Sequence, residues 1–248
     1  MGDEERGGDL LGARVYGEAL KIGVEALVKG IGNICGPASE ELGHMLRDRV
    51  SYWRACQMIA LNEKFRTRLE ERGTPLENLN APARIVMKVF EEGSWVEDDD
   101  IQNMWAGLLA SSCTKDGKDD SNLIFINILS QMTAPEIRLF DHISRSLITS
   151  VAKSGSTMTR RDFQYDMNVE PNALLAAARL PDASLLPRVL ERLRLLGLVD
   201  HKLVERAKPP GNRYDVKVLD AGLHLYARCQ GYSGSPDGFL KIQGRYPA

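Results

Sequence analysis

A chain of 248 residues has room for one large domain or two small ones. Its 43% hydrophobic and 27% charged residues exclude a collagen-like, mucin-like or wholly disordered polymer. The net charge of −2, from 32 Lys and Arg against 34 Asp and Glu, forces neither a nucleic-acid nor a membrane partner.

Residues 1–9 are acidic and glycine-rich, unlike the basic start of a secretory signal, and are expected to be disordered. Residues 10–33 read as an amphipathic helix. Arg14, Glu18, Lys21, Glu25 and Lys29 fall on one stripe, and the opposite face carries Leu11, Val15, Leu20, Val24, Leu27 and Ile31. Glycines interrupt that apolar face, among them Gly17, Gly23 and Gly30. Each interior glycine costs a helix up to about 1 kcal/mol relative to alanine. Close approach of a second helix, or of lipid, would offset that cost. The segment reads first as a helix docked against its own domain, and self-association or peripheral membrane contact on activation is the alternative use.

Gly36-Pro37 breaks the chain, and proline suits the first position of a new helix. The apolar periodicity then runs to about Arg72, with Trp53 counted on the core face, and Gly73 ends it. Shorter helices are predicted at 83–92, 98–112 and 122–132, the second of them led by the carboxylates Glu97 to Asp100. Trp105 and Leu108 are expected in its buried face.

The second half begins with a helix over 134–150, introduced by Thr133 and Glu136 at capping-box spacing. A short polar helix is predicted at 160–167 and a strongly amphipathic one at 185–196. Strands at 198–205 and 213–219 and a final helix at 221–230 follow. The expected fold is mainly α. A helical module over 36–132, preceded by the glycine-rich segment 10–35, leads to a winged helix-turn-helix-like module over 133–230 with one β-hairpin. Residues 231–248, with four glycines and two prolines, read as a flexible tail. Charge follows the same division. Residues 1–133 carry a net of −7, residues 134–230 a net of +4 and residues 231–248 a net of +1.

Chemistry-bearing motifs are scarce. The cysteines at 35, 56, 113 and 229 form no CxxC pair and are expected to be reduced thiols of a cytoplasmic protein. Glu41-x-x-His44 is half of a di-iron motif with no second copy. No P-loop, HExxH or G-x-S-x-G run is present. No catalytic residue, cofactor or metal is therefore expected. The basic face of the second half is the other candidate surface, built from Arg188, Arg192, Lys202, Arg206, Lys208 and Arg213. Such a face suits phosphate contacts, but the turn that opens the 185–196 helix offers few base-reading side chains. Protein contact is the favoured use, and nucleic-acid binding the alternative.

Three runs of sequence carry a resemblance. The first is Gly36-Pro-Ala-x-Glu-Glu-Leu-Gly43 with Leu46-x-Asp48 and Tyr52-Trp53-Arg54. The second runs from Asp99 through Ile101, Gln102, Met104 and Trp105 to Ser111, and the third from Met132 to Phe140. Together they resemble the abortive-infection alpha family across roughly 30–230. The resemblance implies a role in bacterial defence against phage. It brings no catalytic residues, and none are carried over; with no catalytic motif in the chain, the expectation is a non-enzymatic protein acting through a protein partner, self-association or membrane contact.

Overall fold

The computed structural model describes residue 25, residues 52–73, 79–153, 167–205 and 212–243. The candidate segment 10–33 and the positions Gly17, Gly23, Gly30, Gly36 and Pro37 lie outside the described residues. Of that segment only Glu25 is described, in a helix and exposed. The chain divides into two compact units, Met1–Leu123 and Ile124–Ala248.

In the first unit, α1 (Tyr52–Glu71), α2 (Ala83–Gly93) and α3 (Asp99–Ser112) are packed around α3. Helix α1 buries Ala55, Met58, Leu61, Phe65 and Leu69 at helical spacing, and Gly73 ends it in the left-handed region at φ 65°. Helix α2 contributes Ile85, Val86, Val89 and Phe90. Helix α3 is buried on every side along Ile101–Ser112 except at Asn103, as expected of the central element. Its start is fixed by Asp98, whose carboxylate accepts the N–H groups of Asp100 and Ile101 at 3.1 and 3.3 Å. Gly93 lets α2 end against this core. A Cβ there would stand 2.8 Å from Leu61 Cδ2 and 3.4 Å from Trp105 Cβ.

Buried polar groups in this core are tied together. Gln102 donates from Nε2 to Gln57 Oε1 at 2.7 Å and to the Val96 carbonyl at 2.6 Å, and its own Oε1 accepts from Lys64 Nζ at 2.9 Å. Lys64 also pairs with Asp99 at 3.0 Å. The start of α3 is thereby fastened to α1. At the other end of α3, Asn122 Nδ2 donates to Ser111 Oγ and Ser112 Oγ at 2.8 and 2.7 Å. These bonds pair the Gln102 amide and the Asn122 amide nitrogen, which would otherwise be costly to bury.

Helix α4 (Leu123–Ser130) opens the second unit, with Ile126 and Leu129 buried. Next comes α5 (Ala134–Lys153), against which most of the later elements pack. Its buried side chains include Ile137, Phe140, Ile143 and Leu147. The order is then β1 (Met167–Val169), α6 (Pro171–Ala178), a 3₁₀ turn at Ala183–Leu185, α7 (Leu186–Leu195), β2 (Val199–Val204), β3 (Arg213–Val218) and α8 (Asp220–Cys229). The sheet is antiparallel with order β1-β3-β2. In its centre, β3 pairs Val216 with both Met167 and His201. Tyr214, Val216 and Val218 alternate inward, as a half-buried strand requires. Gly197, at φ 71°, turns the chain from α7 into β2.

The protein is thus mainly helical, with a small three-stranded antiparallel sheet in its C-terminal part. Four expectations are corrected. Met167 begins a strand rather than ending a helix, so the sheet has a third strand beside the hairpin. Helix α6, absent from the sequence expectation, starts on Pro171 and buries Leu174 and Ala178. Within 231–248, Pro236–Gln243 forms a further helix, α9, which buries Phe239 and Leu240. Trp53 is 36% exposed rather than core, whereas Trp105 and Leu108 are buried as expected.

Candidate interaction surfaces

The predicted basic face is partly engaged within its own unit. Helix α7 points Leu186, Leu190 and Leu193 inward and leaves Pro187, Arg188, Arg192 and Arg194 on its outer sides. Arg192 does not project freely. Its Nε lies 3.4 Å from Glu136 Oε1 on α5, and its Nη2 lies 3.4 Å from the Gln131 carbonyl. Glu136 is buried, and its second oxygen accepts the Thr133 backbone N–H at 2.7 Å, the return half of a capping box. Arg194 clasps Glu191 with two bonds of 2.8 and 2.7 Å. That grip holds the Glu191 carboxyl below its ordinary pKa.

The hairpin shows the same economy. Arg213 donates to Glu170 Oε1 at 2.7 Å and to Asn168 Oδ1 at 3.0 Å, while Asn168 donates to Asp215 Oδ1 at 2.6 Å. Those contacts fasten β1 to β3 and use Arg213 structurally. Lys202 is exposed on β2, directly across from Asp215 in the register. Arg206 and Lys208 lie outside the described residues. Of the six sequence candidates, Arg188 and Lys202 are thus exposed and Arg192 and Arg213 are paired with carboxylates.

A surface that the sequence expectation overlooked lies on the first unit. Trp53 and Trp95 stand together, with ring centroids 6.0 Å apart and planes inclined by 41°. Trp95 is 61% exposed. The Arg54 guanidinium sits 4.2 Å from the Trp95 ring centroid, held there by Ser94 Oγ at 2.7 and 3.1 Å and by the Glu91 carbonyl at 3.2 Å. Trp53 Nε1 donates to Glu97 Oε1 at 2.8 Å. Periodicity placed Trp53 on the apolar side of α1 but could not show that it stays exposed there.

Among the described residues, no three His, Cys, Asp or Glu side chains are grouped to hold a metal ion. Cys56, Cys113 and Cys229 are, among the described residues, in no disulfide. Among the described residues, no helix is long and apolar enough to cross a membrane.

Comparison with known proteins agrees with the sequence resemblance. No curated protein and no solved structure matches the chain. The model of the family described as Abortive infection alpha matches residues 59–230, from within α1 through the sheet to the end of α8. The chain belongs to the abortive infection alpha family.

Proposed function

We propose that this chain is a non-enzymatic bacterial defence protein that limits phage by binding a protein partner, or by associating with itself or with the membrane through residues 10–33. Family membership supports the defence role. We read the run α5, β1, α6, α7, β2, β3 as a winged helix, because a three-helix set closed by a hairpin is the order of that module. Its role here is to contact protein. The observation that carries this choice is the internal pairing of Arg192 with Glu136, Arg194 with Glu191 and Arg213 with Glu170. Phosphate recognition needs cations that project outward, and these three are turned to carboxylates of their own unit. A DNA-binding regulator is the alternative. It would draw on Arg188 and Lys202, which are exposed, and on Arg206 and Lys208.

The glycine-rich segment 10–33 enters on its sequence alone. Its polar stripe alternates in sign, which favours helix–helix association over attraction to anionic lipid. The test is to express the full chain and a version lacking residues 1–35, then score phage plating and host membrane potential. The proposal expects the full chain to reduce plating and the shortened chain to lose that effect. Unchanged plating with the full chain, across a panel of phages, removes the defence reading. Full protection by the shortened chain removes the role of the segment.

A further inference from the structure

From the pair Trp53–Trp95 we infer a docking site on the first unit for a basic segment of a partner protein, one that places an arginine or lysine against the indole faces. This surface is separate from those used above, and the inference does not depend on them.

Three observations converge. Exposed tryptophans are uncommon, and a contiguous pair presents two π faces with negative potential to solvent. The site already accepts a guanidinium, since Arg54 stacks 4.2 Å from the centre of the Trp95 ring. Trp95 nevertheless remains 61% exposed, so much of its surface is open to an incoming group. The surroundings decide which group. Between residues 91 and 100 stand Glu91, Glu92, Glu97, Asp98, Asp99 and Asp100, and all but Asp98 are exposed. Arg54 is the cation that the pair itself holds.

Aromatic faces with a carboxylate beside them, as Glu97 stands beside Trp53, attract cations twice over, through the ring quadrupole and through charge. Acidic peptides and anionic lipid headgroups are repelled by the same carboxylates. Trp and Arg together are also the residue types that anchor protein interfaces. The geometry of the pair is fixed from below. Trp53 is pinned by Glu97, and Arg54 by Ser94 and the end of α2, so little ordering remains to be done on binding.

The test uses the full chain and a short serine peptide carrying several arginines, with a matched glutamate peptide and phosphatidylcholine–phosphatidylserine vesicles as comparisons. Acrylamide quenching of tryptophan fluorescence reads the site, because Trp105 is buried while Trp53 and Trp95 are not. The arginine peptide should shield the two exposed indoles, with an affinity that falls as salt rises. Trp95→Ala should weaken it by roughly 2- to 30-fold, with far-ultraviolet circular dichroism unchanged. Combined Glu91→Gln, Glu92→Gln and Glu97→Gln should weaken it too and flatten the salt dependence, which decides the matter even if Trp95→Ala fails to fold. No shielding up to the solubility of the peptide overturns the inference. So does equal shielding by the glutamate peptide, or unchanged affinity in both variants. Shielding by vesicles but not by the arginine peptide makes the pair a lipid contact and overturns it as well.

Discussion

Glu136 on α5 and Arg192 on α7 form an ion pair at 3.4 Å, with the carboxylate buried and the guanidinium half-exposed. One acidic side chain thus does two jobs, closing the start of α5 on Thr133 and restraining a cation on the outer side of α7. Glu136→Ala should cost about 1.5–3 kcal/mol, since it strips a buried charge-assisted network from both partners. Urea unfolding checks this, and a midpoint equal to that of the parent protein would mean that the pair is ornamental.

That capping box was legible in the sequence because its residues lie three apart in one turn. Asp98 and the stop at Gly73 were legible for the same reason. Long amphipathic helices were also legible, since burial on one side leaves a period. What escaped lacks such a signal. Strand β1 is three residues long, too short to show alternation, and is recruited by the edge of β3. Helix α9 is hidden in a glycine- and proline-rich stretch, and tertiary contacts such as those of Phe239 with Tyr226 and Tyr232 hold it. Arg192 and Arg213 looked like a surface because sequence gives a residue's helix or strand face but not the distant carboxylate opposite it.

The centre of the first unit is sensitive to volume in both directions. Trp105→Ala should destabilise by roughly 3–5 kcal/mol through the cavity it leaves. Gly93→Ala should destabilise by roughly 1–3 kcal/mol, because the added methyl meets Leu61 and the Trp105 stem. Thermal unfolding of the two variants tests this. A melting temperature equal to the parent for Gly93→Ala would mean that Leu61 moves aside without penalty.

Tyr226 gives a pH signature. Burial, helped by the Asp141 carboxylate, pushes its phenol up to about 12. In the unfolded chain a tyrosine ionises near 10. The fold therefore holds a proton that the unfolded chain releases, so this contribution is complete below pH 10 and is lost as pH rises toward 12. By pH 12 the loss is roughly 2 kcal/mol. Urea unfolding of the parent and of Tyr226→Phe at pH 9 and pH 11 (about one unit either side of 10) isolates the effect. The parent should lose more stability than the variant between the two, and parallel losses would mean that Tyr226 ionises freely in the fold.

Gly23→Leu combined with Gly30→Leu tests the leading segment without deleting it. Leucine raises helix propensity by up to about 1 kcal/mol per site but holds neighbouring backbones apart. Helicity should rise or stay level while oligomer size and phage protection fall. Unaltered protection in a folded variant would reduce the segment to a packing element.

The central claim is the proposal that the second unit meets protein rather than nucleic acid, because Arg192, Arg194 and Arg213 are paired with carboxylates of their own unit. Titration of the full chain with duplex DNA over a range of salt concentrations tests it most directly. Arg188, Lys202, Arg206 and Lys208 can supply about four phosphate contacts, so log–log slopes should be no steeper than about −4, with affinity no tighter than the non-specific range of about 10⁻⁴–10⁻⁶ M. A nanomolar affinity that discriminates between sequences, with a slope well beyond that limit, would contradict the account.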